Sequence, residues 1–146
     1  MDLPEFVTME EVKKTCSDLG IRDWTQLKDS NVTAEESAII LKALGVKDME
    51  IDPEDFRRGL DVELEHGLIF PDTNITNNHP LLTAKVVLAH FKETLDYYQR
   101  LEVAEIEGDI FNAFNAKDSE KVYSKVGKLI QARAELSGLE KRKVSE

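Results

Sequence analysis

Cys16 is the only cysteine in 146 residues, which excludes an internal disulfide framework. Basic residues are also scarce. Lys and Arg number 19 against 29 Asp and Glu, leaving a formal charge of −10. A field of that sign repels nucleic acid and anionic membrane surfaces. The one basic cluster, Lys141-Arg142-Lys143, sits in the tail and reads as solvating a helix end. No apolar run approaches the roughly 20 residues of a membrane span. Glycine-rich phosphate loops are missing, and no serine or cysteine stands beside a histidine in a recognisable nucleophile context. These absences leave enzymatic activity undecided and catalytic residues unassigned. Alternating strand patterns are absent too, so the fold class is all-α. Residues 1–20 hold five acidic side chains, unlike a secretory leader. With the lone cysteine, this gives the expectation of a soluble, cytoplasmic protein.

What is present is clean helix punctuation. Thr8-x-x-Glu11 and Thr33-x-x-Glu36 are capping boxes, closed by Gly20 and Gly45. Asp52-Pro53 reads as an N-cap followed by proline at the first helical position, with Gly67 as the stop. A fourth helix is predicted from Pro80 to about Glu107, with Gly108-Asp109 breaking or kinking it. The last opens near Asp118 or Ser119, turns Val122, Val126, Leu129 and Ile130 inward, and ends at Gly138. The pattern predicts one domain over residues 1–146, a compact bundle of five or six helices with crossed packing. Within it, residues 1–50 form two short capped units, 51–116 a central helix pair, and 117–146 a carboxy-terminal helix and tail.

The two short units repeat at an offset of 25. Glu10-Glu11-Val12 through Asp18-Leu19-Gly20-Ile21-Arg22-Asp23 aligns with Glu35-Glu36-Ser37 through Ala43-Leu44-Gly45-Val46-Lys47-Asp48. Duplication is one reading, and two helices sharing the same stop chemistry is the other. Neither unit buries much alone, so both should dock on the longer helices. The acidity argues against a helix-turn-helix reader of DNA. Cys16 shares a stripe with Val12 and Leu19, which places it in the core.

All three histidines fall between Gly59 and Glu93. At about 100° per residue, Phe56, Gly59, Leu60, Glu63 and His66 share one face of the third helix. Glu63 therefore lies in the apolar stripe, where a carboxylate needs a partner, a proton or a metal. On the fourth helix Val86, His90, Glu93 and Tyr97 form a similar strip. Glu63, His66, His90 and Glu93 are thus candidate ligands for Zn or Fe, in the manner of Glu-x-x-His motifs on bundle helices. They equally suit a buried hydrogen-bond network that fixes helix register. A 13-residue connection joins the two helices, and its Asn74, Asn77, Asn78 and His79 extend the polar site to the loop. Asp72-x-Asn74-x-Thr76 is no calcium loop, because Asn77 and Thr83 stand where the glycine and the bidentate glutamate are required. The favoured function is a non-enzymatic interaction or structural protein with a Glu/His network, its partner a protein or a second copy. The alternative is a helical protein that binds a metal or small ligand at those four residues.

Several runs in this region resemble a family of small prokaryotic proteins of unknown function. They are Val62-Glu63-Leu64-Glu65-His66-Gly67, Thr73-Asn74-Ile75-Thr76-Asn77, Pro80-Leu81-Leu82-Thr83, Leu88-Ala89-His90 and Asp96-Tyr97-Tyr98. The resemblance spans about residues 34–106. It implies that His66, the loop and His90 belong to one shared feature, and it brings no activity. Against that family's compact form, the first helical unit and the longer last helix look like additions suited to a partner.

Overall fold

The computed structural model describes residues 7–145; residues 1–6 and 146, which the single-domain expectation includes, lie outside the described part. Among the described residues there are six α-helices and no strand: α1 (Met9–Leu19), α2 (Ala34–Leu44), α3 (Pro53–Ile69), α4 (Pro80–Glu93), α5 (Tyr97–Asn115) and α6 (Ser119–Ser145). The all-α expectation holds, and six matches the upper count. Two compact units divide the chain between Glu93 and Thr94, inside the stretch read from sequence as one central helix pair.

In the first unit the repeat is plain in the backbone. Both α1 and α2 have 11 residues, a complete capping box, and a left-handed glycine at the end, Gly20 at φ 70° and Gly45 at φ 61°. Glycine adopts that conformation without a Cβ penalty. Both helices dock on α4, and α2 on α3 as well, as short units with little core of their own must. The shared core is built from Val12, Cys16, Trp24, Ile40, Phe56, Leu60, Leu64, Val87 and Phe91. The cysteine is buried as expected, and burial pushes its thiol pKa up.

The two capping glutamates have different fates. Glu11 is exposed, whereas Glu36 is 4% exposed. Glu36 accepts from Arg22 Nε at 2.9 Å and Nη2 at 2.7 Å, and from the Arg22 amide at 3.2 Å. The Thr33 amide and hydroxyl donate to it as well, both at 3.1 Å. Nearby, Asp61 of α3 accepts from the Val32 amide at 2.8 Å and from Arg57 at 2.6 Å, tying α3 to the entry of α2.

The helix ends depart from the sequence reading in three places. α3 runs past Gly67 to Ile69. The helix expected from Pro80 to Glu107 is two helices: α4 stops at Glu93 and α5 begins at Tyr97, while Gly108 lies inside α5. The break comes from Asp96, which is 2% exposed and spends its carboxylate on the Thr94 hydroxyl, Arg100 and Lys143 rather than leaving the turn helical. Last, α6 passes Gly138 without stopping and reaches Ser145. Its opening is as expected, with Asp118 accepting from the Lys121 amide at 2.9 Å. The inward row is only partly so: Val122 and Leu129 are half-buried, whereas Val126 is 39% and Ile130 66% exposed.

Burial opposes ionisation of Glu36, but the Arg22 guanidinium and the Thr33 and Arg22 amides outweigh it and hold the pKa down to about 2. A carboxylate whose folded pKa is depressed stabilises the fold above its unfolded pKa and loses that contribution as pH falls through the folded value. Urea titrations should therefore show stability declining between roughly pH 4.5 and pH 2, with Glu36→Gln flattening that limb. The contribution is on the order of 2–3 kcal/mol. An unchanged acid limb in Glu36→Gln would remove Glu36 from this role.

Candidate functional site

The carboxy-terminal half of α3 and the whole of α4 carry the residues singled out by sequence. The apolar stripe of α3 is closed at its start, where Phe56, Gly59 and Leu60 are buried, and opens toward its end. The Glu63 side chain keeps 14% of its surface exposed and that of His66 52%. Glu63 reaches across to α4, where its Oε1 lies 3.4 Å from His90 Nε2. Its Oε2 lies 3.8 Å from His66 Nδ1. On the far edge of the same imidazole, His90 Nδ1 lies 3.8 Å from Glu93 Oε1.

The four residues come together, but as a line. The His90 ring stands between Glu63 and Glu93, one nitrogen toward each, so both carboxylates cannot share one ion with it. Among the described residues no three His, Cys, Asp or Glu side chains form a group able to hold a metal. Tyr97 lies on a different helix from His90 and Glu93. The helix that was to carry it on from His90 and Glu93 ends at Glu93, and the Tyr97 ring meets Tyr98 edge-on with centroids 5.2 Å apart.

The Asn-rich loop folds back on the end of α3. Asn74 Nδ2 donates to the Gly67 carbonyl at 3.1 Å and to Asn78 Oδ1 at 2.8 Å. The Thr76 hydroxyl donates to Asn74 Oδ1 at 3.2 Å and lies 3.4 Å from the Thr83 hydroxyl on α4. Asn77 and Asn78 take left-handed backbone at φ 48° and 60°, a conformation asparagine tolerates better than most residues. Asn77 Nδ2 donates to the Val7 carbonyl, bringing the amino-terminal segment to the loop. Gly67, read as a stop signal, serves another purpose. A Cβ there would lie 2.1 Å from Asn78 Oδ1 and 2.8 Å from Asn74 Nδ2. The residue is glycine so that the loop can seat on the helix. Beneath the loop is a cleft of about 200 Å³ bordered by Glu63, His66, Asn74, Thr76, Thr83 and Val86.

His79 caps α4 and belongs to a different contact. Its Nδ1 accepts from the Leu82 amide at 3.4 Å, and its Nε2 lies 3.0 Å from Thr15 Oγ1 on α1. With Nδ1 accepting, the neutral ring carries its proton on Nε2, which therefore donates to Thr15. Burial lowers the His79 pKa and keeps the ring neutral.

These observations define an all-helical protein with a carboxylate–imidazole line between two helices under an asparagine-rich loop. Residues 12–107 match a family described as "Protein of unknown function (DUF5661)", and the chain belongs to that family. The match begins inside α1, so most of the first helical unit falls within the family's span, contrary to its reading as an addition. It ends inside α5, which leaves α6 outside. Searches of the curated proteins and of the solved structures find no match.

An alanine inside a helix is normally favoured over glycine by about 1 kcal/mol. Gly108, with nothing within 4 Å of its would-be Cβ, should follow that rule, and Gly108→Ala should gain up to about 1 kcal/mol. Gly67→Ala should instead lose about 1–3 kcal/mol by displacing the loop, and Asn78→Gly in the same chain should recover part of the loss. Chemical denaturation of the four proteins checks this; a stabilised Gly67→Ala would refute the seating of the loop.

Proposed function

We propose that the chain is a non-enzymatic helical interaction protein in which Glu63 and His90 lock α3 to α4 under the Asn74–His79 loop. The observation that carries this reading is the linear order Glu63, His90, Glu93, with one imidazole nitrogen toward each carboxylate. An ion pair or hydrogen bond across two helices fixes their register. A metal site needs its donors to converge on one point at roughly 2.0–2.2 Å. The cleft also supports the reading, since about 200 Å³ falls below the roughly 300–1,000 Å³ of small-molecule pockets. The alternative retains suitable chemistry in two imidazoles flanking Glu63, which is a donor set for a single Zn or Fe.

Elemental analysis of tag-free protein together with thermal melts separates the two. The lock predicts metal-free protein and unequal effects. His90→Ala should cost about 1–3 kcal/mol, by removing the cross-helix partner of a mostly enclosed carboxylate. His66→Ala, at a half-exposed position, should cost under about 0.5 kcal/mol. Stoichiometric Zn or Fe, lost equally in both variants, would replace the lock with a metal site.

A further inference from the structure

In the second unit α5 and α6 form a hairpin held by ion pairs. Lys125 meets Asp109, Arg133 meets Glu107, and Arg100 Nη2 lies 2.9 Å from Glu140 Oε1. Its core is thin: the 27 residues of α6 bury one side chain, Ala132. Large apolar side chains instead face outward around the turn. Phe111 is 65%, Phe114 71%, Tyr123 85% and Ile130 66% exposed. Phe114, Val122, Tyr123 and Val126, together with polar residues of the turn between the helices, border a mostly apolar cleft of about 740 Å³.

Two features of the sequence follow this surface. On α6 the exposed positions Tyr123, Gly127, Ile130, Ala134 and Ser137 recur at spacings of four and three, the seam of a helix that packs on another helix. Gly127 lies within this seam. A mid-helix glycine there is destabilising in the isolated hairpin and useful where a partner helix comes close. The charges are also sorted. α5 carries four acidic side chains and one arginine, net −3, while α6 carries seven basic and three acidic, net +4.

We infer that this face is the self-association surface of the protein, two copies pairing their α5–α6 hairpins into a four-helix bundle. The inference gives the partner of the interaction reading above and rests on that reading. Pairing about a two-fold axis sets α5 of one copy against α6 of the other, twice. Phe111 and Phe114 then pack on the seam around Gly127, between Tyr123 and Ile130. The acidic helix meets the basic one, continuing across copies the charge pattern that closes each hairpin. A second copy is the one partner certain to carry both the complementary charges and the complementary seam. Three aromatics of about 150–250 Å² each, at the exposures given, supply roughly 300–550 Å² per copy, with Ile130, Val126 and the helix flanks adding to it. A standard interface buries about 800 Å² per partner. Most of the face lies beyond residue 107, outside the span matched by the family.

Sedimentation equilibrium of the full chain over a wide concentration range tests the proposal. Twice the chain mass is expected at micromolar concentration, weakening with added salt. Ile130→Glu and Phe111→Glu, both at exposed positions, should each raise the dissociation constant by about thirty-fold or more, with helicity by circular dichroism unchanged. Wild-type protein that stays monomeric, or a dimer whose constant neither substitution moves, overturns the proposal. Metal content decides the reading of the Glu63–His90 lock independently, so the two failures are distinguishable.

Discussion

One buried carboxylate holds the frame of the first unit. Glu36 receives donors from the segment after α1, through Arg22, and from the entry of α2, through Thr33. Trp24 lies between them, fully buried, with its indole nitrogen 3.5 Å from the same carboxylate. A lone charge in that place would be costly, and the bidentate arginine with added amide donors is what makes it tolerable. The consequence is directional. With α1 and α2 fixed end to end, both can dock on α4, and α2 also presses on α3.

Much of this was legible in the residues and some was not, for physical reasons. Capping boxes and left-handed glycines are local devices, so the limits of α1 and α2 follow from sequence almost to the residue. Glu63 beside His90 was legible because helical periodicity placed both in apolar strips. The burial of Glu36 was not, since Glu11 occupies the same place in the same motif and stays in water. The difference lies in the partners, an arginine and a tryptophan following the first glycine, and spacing alone does not reveal a tertiary partner. Asp96 misled for the same reason. Apolar residues at helical spacing run straight through it, and only its contacts with Arg100 and Lys143 show that the chain turns there. The row Val122, Val126, Leu129, Ile130 was read as inward because an apolar stripe implies burial, but Val126 and Ile130 are exposed, and a stripe names only the need for a partner.

The glycines make a parallel point about reading one residue type in two ways. Gly20 and Gly45 are explained by backbone conformation, and Gly67 by side chains from a loop that arrives later in the chain. All three look alike as helix punctuation in sequence. Only the third belongs to the site, where it lets Asn74 and Asn78 close over Glu63 and His66. The loop is thereby a lid fastened at both ends, at the Gly67 carbonyl and at the Thr83 hydroxyl.

The placement of the aromatic residues divides the molecule optically. The single tryptophan, Trp24, belongs to the first unit, and all three tyrosines, Tyr97, Tyr98 and Tyr123, belong to the second. Trp24 is enclosed, with its amide 3.5 Å from the Cys16 sulfur, so its emission and the reactivity of that one thiol both report opening of the same small core. Tyrosine signals report the hairpin. Each unit thus carries its own built-in spectroscopic label, and their unfolding can be followed separately in the unmodified chain.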